Sequence, residues 1–135
     1  MLLSARFLND VASVNSFEYA QEAEFTEGDP ASVYFQLTDA SLDKSVDGFV
    51  PPGRRYVPAS GATLQCIIES IDDSKEITRF ATQPFANDGS IWRLDFLASD
   101  KIRGTANLRL KLTEGAVVRS GLVKSGIRIY SLTCL

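Results

Sequence analysis

The sequence predicts an all-β protein: a single antiparallel β-sandwich of immunoglobulin-like or jelly-roll type, with about seven to nine strands and one long loop. Three observations predict it. Apolar residues recur with period two in run after run, and turn residues separate the runs. No segment repeats apolar residues at three and four positions over ten or more residues, so no helix is expected. The chain has 135 residues, 44% hydrophobic and 23% charged, which is enough to bury a core without metals or disulfides. One domain spanning 1–135 follows from that size.

The elements follow in chain order. The N-terminal "LLSARFLN" reads either as an additional strand or as an arm that pairs with a neighbouring subunit. In "FEYAQEAEF", Phe17, Tyr19, Ala23 and Phe25 fall on one face and Glu18, Glu22 and Glu24 on the other, the mark of a half-buried strand. "SVYFQLTD" points Val33, Phe35 and Leu37 one way and Tyr34, Gln36 and Thr38 the other. The intervening "TEGDP" supplies Gly28, Asp29 and Pro30, so these two runs are expected to form a hairpin.

"ATLQCIIES" directs Ala62, Leu64, Cys66 and Ile68 inward. "IDDSKE" has room for one helical turn at most. "SIWRLDFLAS" carries Trp92, Leu94 and Phe96 on one face and Ile91 and Leu97 on the other, which predicts a central strand covered on both sides. "ANLRLKLT" sets Ala106, Leu108, Leu110 and Leu112 against Asn107, Arg109, Lys111 and Thr113. A reversal at Glu114 and Gly115 leads into the last strand, where Gly121 and Gly126 suit bulges or bends.

Residues 39–60, "DASLDKSVDGFVPPGRRYVPAS", break this rhythm with three prolines and no strand period. A connection this long exceeds an ordinary loop. Phe49, Arg54, Arg55 and Tyr56 join aromatic anchors to guanidinium donors, a mixture suited to a protein partner. The plainer reading lets the loop fold over an open end of the sandwich.

The chemistry is sparse. The chain has no histidine, which removes the commonest general base and the standard catalytic triads. No glycine-rich turn joins a strand to a helix, so a phosphate-binding loop is not expected. Asp72, Asp73, Asp95 and Asp100 are the carboxylates available for acid–base work, and no spacing pairs them. Glu22, Glu24, Glu27 and Asp29 lack the pattern of a calcium loop and read as a charged strand face. Cys66 and Cys134 form no metal or redox spacing and read as a buried thiol and a tail thiol. Trp92 and Tyr34 offer a sugar-stacking platform, and for Trp92, in a strand apolar on both faces, a core position is the plainer reading. Neither a cofactor nor a metal is expected. A net charge of −3 sets nucleic acid aside as a partner, and the absence of an apolar run of about 20 residues sets aside a membrane helix. No secretion signal is evident at "MLLSARFLND".

The string "FEYAQEAEFTEGDPASVYFQL" resembles the opening of small tailed-bacteriophage virion proteins, in the style of the immunoglobulin-like domains of phage upper baseplate proteins. "PPGRRY", "GSIWRLDF" and "IRGTANLRLKLTEG" are similar in the same way. The resemblance implies a non-enzymatic structural subunit of a tail or baseplate, present in many copies, assembled in the host cytoplasm, and joined to other virion proteins without a small-molecule substrate. It implies an adaptor rather than a receptor-binding protein, because the chain ends at Leu135 without the long extension expected of one. A capsid decoration protein and, from another class, a carbohydrate-binding module are the alternatives.

Overall fold

The computed structural model describes residues 1–13, 16–20, 22–40, 54–72 and 74–131, with only the backbone path given for 9–13, 16–20 and 54. The described residues are all-β, in ten strand segments. They are β1 (Leu3–Ser13), β2 (Ser16–Ala20), β3 (Ala23–Thr26), β4 (Ala31–Asp39), β5 (Arg54–Arg55), β6 (Thr63–Ser70), β7 (Glu76–Ala81), β8 (Ile91–Phe96), β9 (Gly104–Glu114) and β10 (Val117–Tyr130). The segment around "IDDSKE" is the turn between β6 and β7 and contains no helix among its described residues.

The strands form one mixed sheet in the order β5-β4-β1-β10-β9-β6-β7, with β8 on β4, β2 on β1 and β3 on β10. The sheet curls until its ends nearly meet. Just beyond β7, Thr82 and Arg93 of β8 exchange both main-chain hydrogen bonds, at 3.0 and 2.7 Å. The result is an almost closed barrel, which does not separate into the two stacked sheets of the expected sandwich. It is not wholly antiparallel either, because β1 and β3 both run parallel to β10.

Below Thr82 the β7–β8 seam is held by a side chain. Arg79 donates to the Asp95 carbonyl at 2.9 Å and grips both oxygens of Asp100, at 2.6 and 3.0 Å. Asp100 also accepts the Leu97 amide at 2.7 Å. The guanidinium holds the Asp100 carboxyl below its usual range. This seam corrects the expectation that β8 is covered on both sides. Trp92, Leu94 and Phe96 are buried as expected and so is Ile91, but Leu97 is 55% exposed.

The N-terminal segment is a strand of the barrel. Phe7 faces Ala20 of β2 on one side and Phe35 of β4 on the other, while Leu3 bridges to Gly121 of β10. Two glycines of β10 make this approach possible. A Cβ on Gly121 would collide with the Leu3 carbonyl, and one on Gly126 would stand 2.6 Å from the Phe7 ring. Gly126 lies in the bulge between Val123 and Ile127, as its composition suggested, whereas Gly121 serves the close approach of β1.

The expected hairpin of "FEYAQEAEF" with "SVYFQLTD" does not form. The first run splits into β2 and β3, and β3 pairs with β10, to which Glu27 N also donates at 2.8 Å through the Tyr130 carbonyl. Its inward residue Phe25 packs on Phe96 with centroids 4.4 Å apart. The β9–β10 hairpin forms as expected, turning at Gly115 with φ +59°. One contiguous core fills the barrel, with Phe35, Leu37, Leu64, Cys66, Ile68, Leu94, Leu108, Leu112 and Ile127 fully buried. Burial pushes the Cys66 thiol up to about 12.

Candidate interaction surface

Of the residues expected to meet a partner, Phe49 lies outside the described residues and Arg54 contributes its backbone to β5. Arg55 and Tyr56 are turned onto their own barrel. The Tyr56 amide donates to the Leu37 carbonyl at 2.8 Å. Its hydroxyl donates to Glu114, lying 2.7 and 2.8 Å from the two carboxylate oxygens. Glu114 also accepts the Ala59 amide at 2.9 Å and Arg119 Nε at 3.1 Å. Burial works against the Glu114 charge, yet the Ala59 amide, the Tyr56 hydroxyl and Arg119 together hold its carboxyl below the usual range. Burial and then Glu114 push the Tyr56 hydroxyl above its ordinary value.

Arg55 reaches Asp88 at 3.4 Å, with its side chain still 64% exposed. Asp88 in turn accepts the Ser90 amide at 3.1 Å and hydroxyl at 2.6 Å, and Gln36 Nε2 donates to Ser90 Oγ at 3.1 Å. The end of the long loop is therefore tied down across the barrel, close to the plainer of the two readings. Of the two described side chains in this group, that of Arg55 keeps most of its surface exposed.

The carboxylates are likewise engaged. Asp72 accepts the Thr105 amide at 3.0 Å. Asp95 accepts the Ser32 hydroxyl at 2.7 Å and pairs with Arg93 at 3.2 Å. Asp100 belongs to the Arg79 clasp, and Asp73 lies outside the described residues. In the expected charged strand, Glu22 meets Arg128 and Glu27 meets Arg103, both at 3.7 Å. Among the described residues no group of three His, Cys, Asp or Glu is placed to hold a metal. Cys134 lies outside the described residues and Cys66 carries a free buried thiol. Trp92 is 2% exposed, so its ring offers no stacking face to a sugar, and Tyr34 is half-buried.

What the surface does present is a sheet face. On the outside of β10, β9, β6 and β7, the large apolar residues Val118, Leu122 and Phe80 stand among polar neighbours, with Leu2 at the adjoining end of β1. Phe80 is 62% exposed. A shallow hollow of about 410 Å³ opens beside Ser120, lined by Leu2, Leu3, Ser4, Ala40, Gly121 and Leu122. Around these residues lie Lys111, Lys124 and Arg109, the last paired with Glu69.

Sequence reasoning missed this face. The signal was one of phase: in "EITRFA", Ile77 keeps the inward period while Phe80 breaks it, and in β10 Val118 and Leu122 alternate with Arg119 and Gly121. An apolar residue on the wrong parity of a strand is an outward-facing one. No protein-family model, no curated protein and no solved structure matches this chain.

Proposed function

We propose that this chain is a non-enzymatic structural subunit of a bacteriophage virion, built into the tail or baseplate in several copies and acting through protein–protein contacts. The observation that carries the contact role is the outer face of β10, β9, β6 and β7. It leaves Phe80, Val118, Leu122 and Leu2 in water, each 44% to 62% exposed, in a rim of polar and charged residues. Leu2 and Leu122 line one hollow beside β10, and leaving such apolar groups solvated forfeits roughly 25 cal/mol for each Å² that a partner would cover.

The engagement of the described carboxylates in main-chain and guanidinium contacts supports the non-enzymatic half of the reading. The virion half rests on the resemblance of "FEYAQEAEFTEGDPASVYFQL" and "GSIWRLDF" to phage structural proteins.

The test is immunogold electron microscopy of particles from the source lysate, with antibody raised against the purified chain. Label on the tail or baseplate supports the proposal. Label over the head reassigns the chain to capsid decoration, and particles without label overturn the virion reading.

A further inference from the structure

We propose that the barrel opens along the β7–β8 seam, and that this local parting, with the other ladders intact, is the route by which solvent first reaches the core. The inference concerns the fold alone and stands apart from the virion reading.

The seam is the thinnest joint of the described sheet. β9 is laddered to both β10 and β6, and β4 to both β1 and β8. The contact of β1 with β10 is short, but β3 takes over on β10 from Ile127 to Tyr130. β7 is laddered to β6 alone, and its main-chain link to β8 is the pair of bonds between Thr82 and Arg93. Main-chain groups alternate sides along a strand, so the amides and carbonyls of Phe80, Thr78 and Glu76 face the seam as those of Thr82 do. Below Thr82 they meet no ladder from β8.

Arg79 takes the place of that ladder. It occupies an inward position of β7, between Ile77 and Ala81 and opposite Cys66 of β6. Its guanidinium spans the gap to the Asp95 carbonyl and to Asp100. The side chains of this clasp are 26% and 12% exposed. A partly buried ion pair regains hydration when its members separate, so its net hold on the seam is modest for all its close geometry. β7 also enters and leaves through exposed residues, Ser74 and Lys75 before it and Thr82 and Gln83 after it. It can swing on these connections while β1, β4, β9 and β10 keep their partners.

One side chain reports the opening. Cys66 is fully buried and lies directly across from Arg79, one strand in from the seam. Parting β7 from β8 uncovers the interior beside it before any ladder breaks.

Alkylation of Cys66 in the Cys134→Ser chain under native conditions is the test. Without urea the rate should exceed, by at least about tenfold, the rate that the global unfolding constant sets. It should respond weakly to low urea, because a local opening exposes little surface. Asp100→Asn should raise the rate at least about fivefold by weakening the clasp. Gly126→Ala lies across the barrel, where β10 admits β1, and that contact persists in the open form. It should raise the global unfolding constant at least about fivefold and leave the Cys66 rate within about twofold.

Hydrogen exchange of the parent chain supplies a second reading that needs no variant. The Thr82 and Arg93 amides should exchange through the same small opening, whereas the amides of Leu108, Leu110 and Leu112 in β9 should exchange only with global unfolding. A Cys66 rate equal to the global prediction and fully sensitive to urea overturns the proposal. So does a rate that follows the unfolding constant in Gly126→Ala, or one that Asp100→Asn leaves unchanged. Thr82 and Arg93 amides as protected as those of β9 overturn it as well.

Discussion

Replacing Gly126 with alanine tests how the barrel accepts its first strand. Gly126 is buried, and its φ lies outside the left-handed region, so alanine brings no backbone strain of its own. The added methyl would stand 2.6 and 3.0 Å from two atoms of the Phe7 ring and 2.8 Å from Val123 Cγ1. Phe7 is 2% exposed and sits edge-on to Phe35, centroids 6.5 Å apart, so the ring has no solvent to retreat into. Overpacking of this kind costs about 1–3 kcal/mol. The stiffer unfolded chain returns about 0.4–1 kcal/mol. The net loss is about 1–2 kcal/mol, or roughly 3–8 °C in Tm for a domain of this size.

Urea and thermal unfolding of the four proteins in a double-mutant cycle with Phe7→Leu provide the assay. In the Phe7→Leu background, Gly126→Ala should cost distinctly less than in the parent, because the smaller side chain removes the ring contacts and leaves only the one with Val123 Cγ1. Gly121→Ala should cost more than Gly126→Ala, since the atom it meets is the Leu3 carbonyl, which is main chain and cannot rotate away. Strictly additive losses in the cycle, or a Gly126→Ala protein as stable as the parent, would refute the reasoning that β10 uses its glycines to admit β1.

Three further outcomes follow from other parts of the barrel. Asp100→Asn should cost about 1–3 kcal/mol at neutral pH by loosening the Arg79 clasp at the seam. Its folded carboxyl titrates below the unfolded value, so this stabilisation is present above the ordinary carboxylate pKa and disappears as pH falls through the lowered one. Parent and variant stabilities, followed by urea unfolding between neutral and acid pH, should therefore converge at the acid end. Glu114→Ala should release residues 56–59 from the β9–β10 turn, read as faster amide hydrogen exchange at Ala59, while the Tyr56 amide keeps its bond to the Leu37 carbonyl. With Cys134 replaced by serine, Cys66 should resist alkylation at pH 8 in the folded protein, at least about a hundredfold slower than in denaturant, because its thiol is buried and its pKa lies near 12.

Much of the barrel was legible because a half-buried strand writes its burial into alternate residues. "ANLRLKLT" gave β9 with its inward and outward residues correctly assigned, "ATLQCIIES" gave the inward residues of β6, and "IWRLDF" gave Trp92, Leu94 and Phe96 as the buried set of β8. Alternation shows which way a side chain points and nothing about which strand lies beside it. The hairpin expected around "TEGDP" therefore failed, although the turn itself forms at Gly28 with φ +93°. The parallel pairing of β3 with β10 depends on main-chain groups that every residue carries.

Barrel closure was hidden for a similar reason. It depends on one bridge at Thr82 and on Arg79 reaching Asp95 and Asp100, contacts between residues whose types alone announce nothing. Composition marked Tyr56 as an aromatic anchor and could not show that a carboxylate at the far end of β9 takes its hydroxyl. The exposed face was readable only from parity, at Phe80, Val118 and Leu122, once the strands had been placed.

The proposed role makes the chain a component of an assembled particle. Quantitative mass spectrometry of density-purified particles tests it most directly. Peptides of this chain are expected in the particle fraction, at several copies per particle and retained through a high-salt wash. A chain found only in the soluble fraction would contradict it.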